Sequence, residues 1–161
     1  MRSFILLAPL AVVAASVAPA PETVAFGADE AASSPAGTRV GADDPRIVIT
    51  GRAVVDGGVA RFDWAGVRIS FRTKGAGFRL LLEKTGPDFN VLVDGEPWTR
   101  LGTWGADAYD LWLPDAGEHD VSLVRRQGPV YGVTRFAGLE LPPGVVLLDP
   151  PARRPRRIEF I

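Results

Sequence analysis

One short segment of this chain holds the residue types of a hydrolytic triad, because His119, Asp120 and Ser122 occur close together. A serine nucleophile needs the histidine ring within hydrogen-bond reach, so that the ring can take the hydroxyl proton. The segment has the pattern of a β-strand, on which successive side chains point to opposite faces. His119 would then lie on one face with Val121, while Asp120 and Ser122 project from the other. We therefore expect no catalytic residue here, and we interpret His119 as structural.

The tryptophans are the stronger candidates for a binding site. A sugar ring presents a flat face of C–H groups that stacks on an exposed indole, while its hydroxyls take polar partners at the rim. Trp98 and Trp104 stand among polar and glycine residues and form the candidate carbohydrate-binding platform, with Trp112 as a third candidate. The alternative is that each of them fills the core or a domain interface. Trp64, beside a predicted turn, is predicted to be a core residue.

Composition disfavours metal and nucleic-acid chemistry. The chain has no cysteine and one histidine, so a zinc site is not expected. Its aspartates show neither the spacing of an EF-hand nor a dense cluster, so we expect no calcium site, and we expect no cofactor. A formal net charge of -1 gives no reason to expect nucleic acid as a partner.

The beginning of the chain has the pattern of an exported protein. Arg2 precedes an apolar run from Phe4 to Val17, and small residues follow. We predict a signal peptide at residues 1–20, a secreted or periplasmic location, and no membrane association after the signal is removed. Residues 21–45 are rich in Ala, Gly, Pro, Ser and Asp without an apolar period, so they are predicted to be a flexible leader.

Short apolar runs separated by Gly, Pro and Asp follow from residue 46 onward, and none shows a helical period. Many short strands without intervening helices predict an all-β fold, an antiparallel β-sandwich. We favour the jelly roll over the immunoglobulin-like alternative. The predicted strands are 46–55, 59–63, 67–73, 77–84, 89–94, 97–101, 107–113, 118–126, 130–141 and 145–148.

The clearest local prediction is a hairpin from Phe89 to Leu101. Its centre, Asp94-Gly95, supplies the positive φ angles that a two-residue type I′ turn needs between twisted strands. Leu81 and Leu92 interrupt the polar faces of their strands, which predicts partial cover at those two positions.

An ordered series of motifs carries a family resemblance. The series runs Trp64-Ala65-Gly66, Phe89-Asn90-Val91-Leu92-Val93-Asp94-Gly95, Gly117-Glu118-His119-Asp120-Val121, Leu123-Val124-Arg125-Arg126 and Phe136-Ala137-Gly138-Leu139. It resembles the N-terminal jelly-roll domain of family 2 carbohydrate esterases, the acetyl xylan esterase group of SGNH (GDSL-type) hydrolases. The resemblance continues through Leu147 to Pro151 and into Ile158 to Ile161.

The resemblance implies a domain organisation. In the family, the strand that matches residues 158–161 leads into Gly-Asp-Ser, the nucleophile block of the hydrolase domain. The implied organisation is a β-sandwich domain at 46–150, a linker at 151–157, and at 158–161 the first strand of an SGNH hydrolase domain that is otherwise missing. The family's catalytic serine and histidine lie in that second domain, so no residue of this chain inherits either role.

The resemblance also implies a function. The chain would be the non-catalytic N-terminal accessory domain of a secreted carbohydrate esterase, supporting a hydrolase domain in the same or a separate chain, or contacting a polysaccharide such as xylan. Two alternatives stay open. A free-standing carbohydrate-binding module would use the tryptophans as its site, and a purely structural remnant would fold but bind nothing.

Overall fold

A computed structural model describes residues 37–83 and 86–150 of the chain. These residues form two antiparallel sheets and a short 3₁₀ helix at Pro129–Tyr131. No helix among them has the length and hydropathy that crossing a membrane requires. The strands are β1 Thr38–Val40, β2 Val48–Thr50, β3 Val54–Asp56, β4 Val59–Phe62, β5 Arg68–Lys74, β6 Gly77–Leu82, β7 Asp88–Val93, β8 Glu96–Gly102, β9 Ala108–Trp112, β10 Glu118–Arg125, β11 Thr134–Leu141 and β12 Val146–Leu148.

The strand order is that of a jelly roll. The first sheet has the order β3-β4-β11-β6-β9, and β1 also pairs with β11. The second sheet has the order β12-β5-β10-β7-β8, and β2 also pairs with β5. From β4 to β11 successive strands alternate between the sheets, apart from the β7–β8 hairpin. The paired orders β4-β11-β6-β9 and β5-β10-β7-β8 confirm the predicted fold class.

Alternating side chains build the core between the sheets. In β5 the side chains of Ile69, Phe71 and Thr73 are buried, while their neighbours are exposed or half-buried. Phe71 meets Phe78 of the opposite sheet edge to face, with ring centroids 5.0 Å apart. Burying a phenylalanine or leucine side chain stabilises the fold by about 1.5 to 3 kcal/mol, so this inward face provides most of the driving force.

The predicted hairpin is confirmed. Asp94 has φ 55° and Gly95 has φ 88°, which are the two positive angles of a type I′ turn between β7 and β8. The predicted partial cover is also confirmed, because Leu81 and Leu92 are half-buried.

One strand lies where the sequence predicts a flexible leader. Strand β1 pairs with β11, and the side chains of Val40 and Ala42 belong to the core. The prediction for residues 37–45 was therefore wrong, because this three-residue strand is held by tertiary pairing and has no apolar period of its own. The rest of the predicted leader, the signal peptide at 1–20, the linker at 151–157 and the strand at 158–161 lie outside the described residues.

Two predicted strands are shorter or divided. The predicted strand 46–55 is two strands, β2 and β3, because Gly51 between them has φ 112° and turns the chain. The predicted strand 130–141 begins at Thr134, because the preceding residues form the 3₁₀ helix. Pro129 starts that helix, and its ring fixes a φ angle that suits a helical turn.

Candidate functional site

The suspected triad residues do not come together. On β10 the side chain of His119 is buried with that of Val121, whereas Asp120 is exposed and Ser122 is half-buried on the other face. The hydroxyl of Ser122 lies 3.0 Å from that of Ser70 on the neighbouring strand. The opposite orientation predicted for the serine and the histidine is confirmed, and they cannot exchange a proton.

Both ring nitrogens of His119 contact carboxylates. Nδ1 lies 2.8 Å from Oδ2 of Asp94, and Nε2 lies 3.2 Å from Oδ1 of Asp115. The hydrogen bond to Asp94 raises the pKa of His119, against the effect of burial and with help from Asp115. The hydrogen bond from His119 likewise lowers the pKa of Asp94. The imidazole therefore joins the β7–β8 turn to the loop before β10, which is a structural role.

We expect the contribution of His119 to stability to depend on pH. A raised pKa means that protonation favours the folded state. The stabilisation is complete below the ordinary histidine pKa of 6.5 and is lost as pH rises through the higher folded-state value. At the acid end, the contribution of Asp94 is present above its ordinary pKa of 3.8 and is lost as pH falls through its lowered folded-state pKa.

The substitution His119→Gln tests this dependence. It should lower the free energy of unfolding at about pH 5.5 by about 1 kcal/mol more than at about pH 8.5, because only the protonated ring donates to both carboxylates. Urea denaturation of both proteins at the two pH values gives the difference. Equal losses at the two pH values would show that folding does not raise the pKa of the ring.

All four tryptophans have exposed side chains. Trp64 is 49% exposed, so the prediction that it is a core residue was wrong. The β4–β5 connection turns at Gly66, where φ is 81°, and the next residue, Val67, is the one that enters the core. The Trp64 ring instead lies beside the guanidinium of Arg52, whose Cζ is 4.9 Å from the ring centroid. This is a cation–π contact at the surface.

Trp98 lies beside Trp112. Its indole Nε1 donates a 3.0 Å hydrogen bond to the backbone carbonyl of Trp112. Strands β8 and β9 are the edges of different sheets, so this bond closes one open side of the sandwich. A register shift in the β7–β8 ladder, where Thr99 pairs with Val91 and Pro97 with Leu92, leaves Trp98 unpaired as a bulge that can reach across.

Trp112 is the most exposed of the four tryptophans, at 66%. It pairs across the sheet with Gly77, and a Cβ at that glycine would lie 3.1 Å from the indole ring. The ring thus lies over the glycine backbone at the sheet edge. The adjacent ion pair on this sheet, between Arg79 and Asp110, has a 2.8 Å contact.

Trp104 lies in the loop after β8 and is held from several directions. Its Nε1 is 3.4 Å from Oδ1 of Asp88, and its ring meets that of Tyr131 edge to face at a centroid distance of 6.5 Å. A Cβ on Gly86 would lie 2.9 Å from the indole, so the ring rests directly on that glycine backbone. The Trp104 side chain is nevertheless 60% exposed.

A buried carboxylate lies next to Trp104. Asp88 accepts hydrogen bonds from both Nε, at 2.9 Å, and Nη2 of Arg100. Burial alone would raise the pKa of Asp88, but hydrogen bonds from Arg100, Gln127 and Trp104 outweigh it, and the pKa is lowered. The carboxylate is therefore ionised at neutral pH and balances the charge of Arg100.

The candidate platform of Trp98 and Trp104 is divided between two places. Trp104 is six positions after Trp98, and the chain between them is extended as far as Gly102, which corresponds to at most about 20 Å. The Trp98 indole is hydrogen-bonded to Trp112, and the Trp104 ring contacts the ring of Tyr131. Tyr131 was not among the residues predicted to bind, because the sequence pattern placed it in a strand. The Gly128-Pro129 pair before it was the available signal for a loop.

No group of three or more His, Asp or Glu side chains suited to a metal ion occurs in the described ranges. The two carboxylates around His119 lie at opposite nitrogens of its ring, so they do not converge on one point.

Comparison with known proteins identifies the fold and the sequence family. The protein-family model described as "Carbohydrate esterase 2 N-terminal" matches residues 49–151. No curated protein sequence matches the chain. Among solved structures, a family two carbohydrate esterase from Cellvibrio japonicus superposes with a TM-score of 0.63 at 22% identity, covering 74% of this chain and 37% of that one.

Two further structures share the fold. A family two carbohydrate esterase from Clostridium thermocellum in complex with cellohexaose has a TM-score of 0.58 at 23% identity, covering 68% of this chain and 35% of that one. The salicylyl-acyltransferase SsfX3 from a tetracycline biosynthetic pathway has a TM-score of 0.57 at 20% identity, covering 73% of this chain and 43% of that one. The chain thus spans less than half the length of each of these proteins.

Proposed function

This chain belongs to the carbohydrate esterase 2 N-terminal family, and from that membership we propose that it is the non-catalytic accessory domain of a secreted, acetyl xylan esterase-like carbohydrate esterase. The observation that carries the proposal is the family match, which spans residues 49–151 and hence most of the jelly roll. An SGNH hydrolase domain, in the same protein or in a separate chain, is the proposed partner that performs the chemistry. Export directed by residues 1–20 would bring the domain to extracellular polysaccharide.

The geometry around the histidine supports a non-catalytic role. The sequence has a single histidine, and in the structure both of its ring nitrogens contact carboxylates. Ser122 lies on the opposite face of the same strand. A serine hydrolase needs a hydroxyl that can pass its proton to an available base, and His119 is not such a base for Ser122.

The exposed indoles support contact with polysaccharide. The side chains of Trp98, Trp104 and Trp112 are 47%, 60% and 66% exposed. Large aromatic side chains left at a surface are characteristic of binding sites, and pyranose rings stack on them. The proposed accessory domain would hold a polysaccharide such as xylan near the esterase site of its partner.

Affinity electrophoresis tests the polysaccharide contact. The purified chain is run in native gels with and without soluble xylan, next to serum albumin as a protein that should not bind. We expect the chain to be retarded by xylan and albumin to keep its mobility. Equal relative mobility of the chain in the two gels would contradict the polysaccharide contact.

A free-standing carbohydrate-binding module is the second candidate, and the same exposed tryptophans favour it. Reading the coding DNA beyond the codon for Ile161 separates the two. A continuation that encodes a Gly-Asp-Ser block supports the accessory domain, whereas a separate transcript without any hydrolase sequence supports the free-standing module.

A further inference from the structure

Four loops meet at one end of the sandwich, which we call the loop end. They are the β4–β5, β6–β7, β8–β9 and β10–β11 connections, and antiparallel pairing brings all of them to the same side. Backbone hydrogen bonds join the described parts of these loops to one another and to the strand ends: Gly66 to Arg125 at 2.8 Å, Gly86 to Thr103 at 3.1 Å and Arg126 to Asp88 at 2.9 Å. Trp104 and Tyr131 both lie at this end.

A buried arginine fixes the β10–β11 loop. Arg125 is 1% exposed, although it is the last residue of β10. Its guanidinium donates to four backbone carbonyls and to one hydroxyl, those of Phe62 at 3.3 Å, Gln127 at 2.8 Å, Gly128 at 3.2 Å, Gly132 at 2.6 Å and Thr134 Oγ1. Tyr131 is therefore exposed on a loop whose backbone is held from beneath.

The indole of Trp104 is likewise oriented before any ligand arrives. Gly86 covers part of the indole, Tyr131 meets it edge to face, and Asp88 accepts its N–H group. More than half of the side chain still faces solvent. An exposed aromatic ring that is already fixed loses little conformational freedom on binding, which favours affinity.

We propose that Trp104, Tyr131 and Arg100 form a binding site at the loop end for one neutral pyranose ring of a polysaccharide. The inference rests on the proposed function and deepens it, because it selects one of the exposed tryptophans and adds two residues. The sugar stacks on the open part of the Trp104 indole, and Tyr131 forms a side wall.

The polar rim of the site determines the class of sugar. Arg100 donates hydrogen bonds from Nε and Nη2 to Asp88, which leaves Nη1 to donate to a sugar hydroxyl. The Arg100 side chain is 57% exposed, so the guanidinium is accessible. The Asp88 carboxylate balances its charge, and the pair offers no net charge to an anionic sugar. A neutral xylose or glucose unit fits this combination of a flat ring and hydroxyl donors better than a uronic acid does.

Trp98 and Trp112, at the other end of β8, are less suited to binding a sugar. Trp98 is anchored by its hydrogen bond to the backbone of Trp112, but it is less exposed than Trp104, at 47%. No described side chain accepts the indole N–H of Trp112, so that ring has no anchor comparable to Asp88. We therefore expect substitutions at Trp104 and Tyr131 to weaken binding more than substitutions at Trp98 and Trp112.

Titration with xylohexaose and cellohexaose, followed by the ¹H–¹⁵N signals of the indole groups and by calorimetry, tests the site. We expect the Trp104 signal to shift most, and Trp104→Ala to weaken binding about tenfold or more. Tyr131→Ala and Arg100→Gln should each weaken binding by a smaller factor. Trp64→Ala removes another exposed tryptophan at the same end and serves as the matched control, for which we expect the affinity of the unsubstituted protein.

The possible outcomes distinguish an error in the position of the site from an error in the proposed function. If Trp104→Ala binds like the unsubstituted protein, or if binding is lost only in Trp112→Ala, the site proposed here is wrong and the polysaccharide contact stands. If neither oligosaccharide shifts any indole signal and xylan does not retard the chain, both are overturned. Unchanged thermal unfolding of Trp104→Ala would show that a loss of binding does not come from misfolding.

Discussion

Replacing Arg125 with alanine is expected to lower the free energy of unfolding by about 3 to 5 kcal/mol. The guanidinium is the common donor for carbonyls in two connections, at Phe62 before the β4–β5 loop and at Gln127, Gly128 and Gly132 in the β10–β11 loop. Without it the carbonyl of Phe62 and the hydroxyl of Thr134 lose their partner in a buried site, the loop carbonyls lose the bonds that hold the loop, and a cavity remains. Each buried acceptor without a partner costs about 1 to 3 kcal/mol.

Urea denaturation of Arg125→Ala next to Arg126→Ala measures this effect. Arg126 is the following residue, but it is exposed, so its truncation should change the free energy of unfolding by less than about 0.5 kcal/mol. Arg125→Lys should recover only part of the loss, because an ammonium group cannot reach the same spread of acceptors. Similar stabilities for the alanine variants at the two positions would show that the guanidinium does not hold the loop end together.

Replacing Gly138 with alanine is expected to lower the free energy of unfolding by about 3 kcal/mol or more, or to prevent β1 from pairing with β11. Gly138 has φ 103°, and it lies at the register shift between β11 and β6. A Cβ at this position would lie 1.9 Å from the carbonyl oxygen of Val40 and 2.9 Å from the Cα of Gly41. Neither of these backbone atoms can move without displacing β1.

Hydrogen exchange of the Thr38–Val40 amides, together with thermal unfolding, distinguishes local from global damage. Gly105→Ala is the matched control, because a Cβ there meets no atom within 4 Å and the residue has no positive φ angle. The control should unfold like the unsubstituted protein. A Gly138→Ala protein with full stability and protected β1 amides would contradict the close approach of the two backbones.

The alternation of apolar and polar side chains along the strands made most of the fold predictable. It places Phe71 in β5 and Phe89 in β7 toward the core, as observed, and it separates His119 from Ser122. The type I′ turn was predictable because Asp94-Gly95 is a strong local signal. These features depend on residues that are close together in the chain, so one sequence is enough to predict them.

The features that were missed depend on tertiary contacts. Strand β1 has no apolar pattern and forms because β11 offers it a partner and Gly138 leaves it space. Trp64 is exposed because the turn at Gly66 carries it past the core. Arg125 is buried although its charge suggests a surface position, because backbone carbonyls of two connections accept hydrogen bonds from its guanidinium.

The candidate residues could be named from the sequence, but neither their exposure nor their arrangement could. The sequence left open whether Trp98, Trp104 and Trp112 are exposed or fill the core, and in the structure they are exposed. Trp98 lies beside Trp112 and Trp104 lies beside Tyr131 because of the length of β8 and the bulge at Trp98, and neither feature can be read from residue types.

The non-catalytic role is best tested by measuring acetate release from acetylated xylan in the presence of the purified chain. We expect the chain to bind this polysaccharide and acetate to accumulate no faster than in the protein-free blank. Acetate released in many-fold molar excess over the chain, and no longer released with His119→Gln, would show that His119 is a catalytic base and not a structural residue.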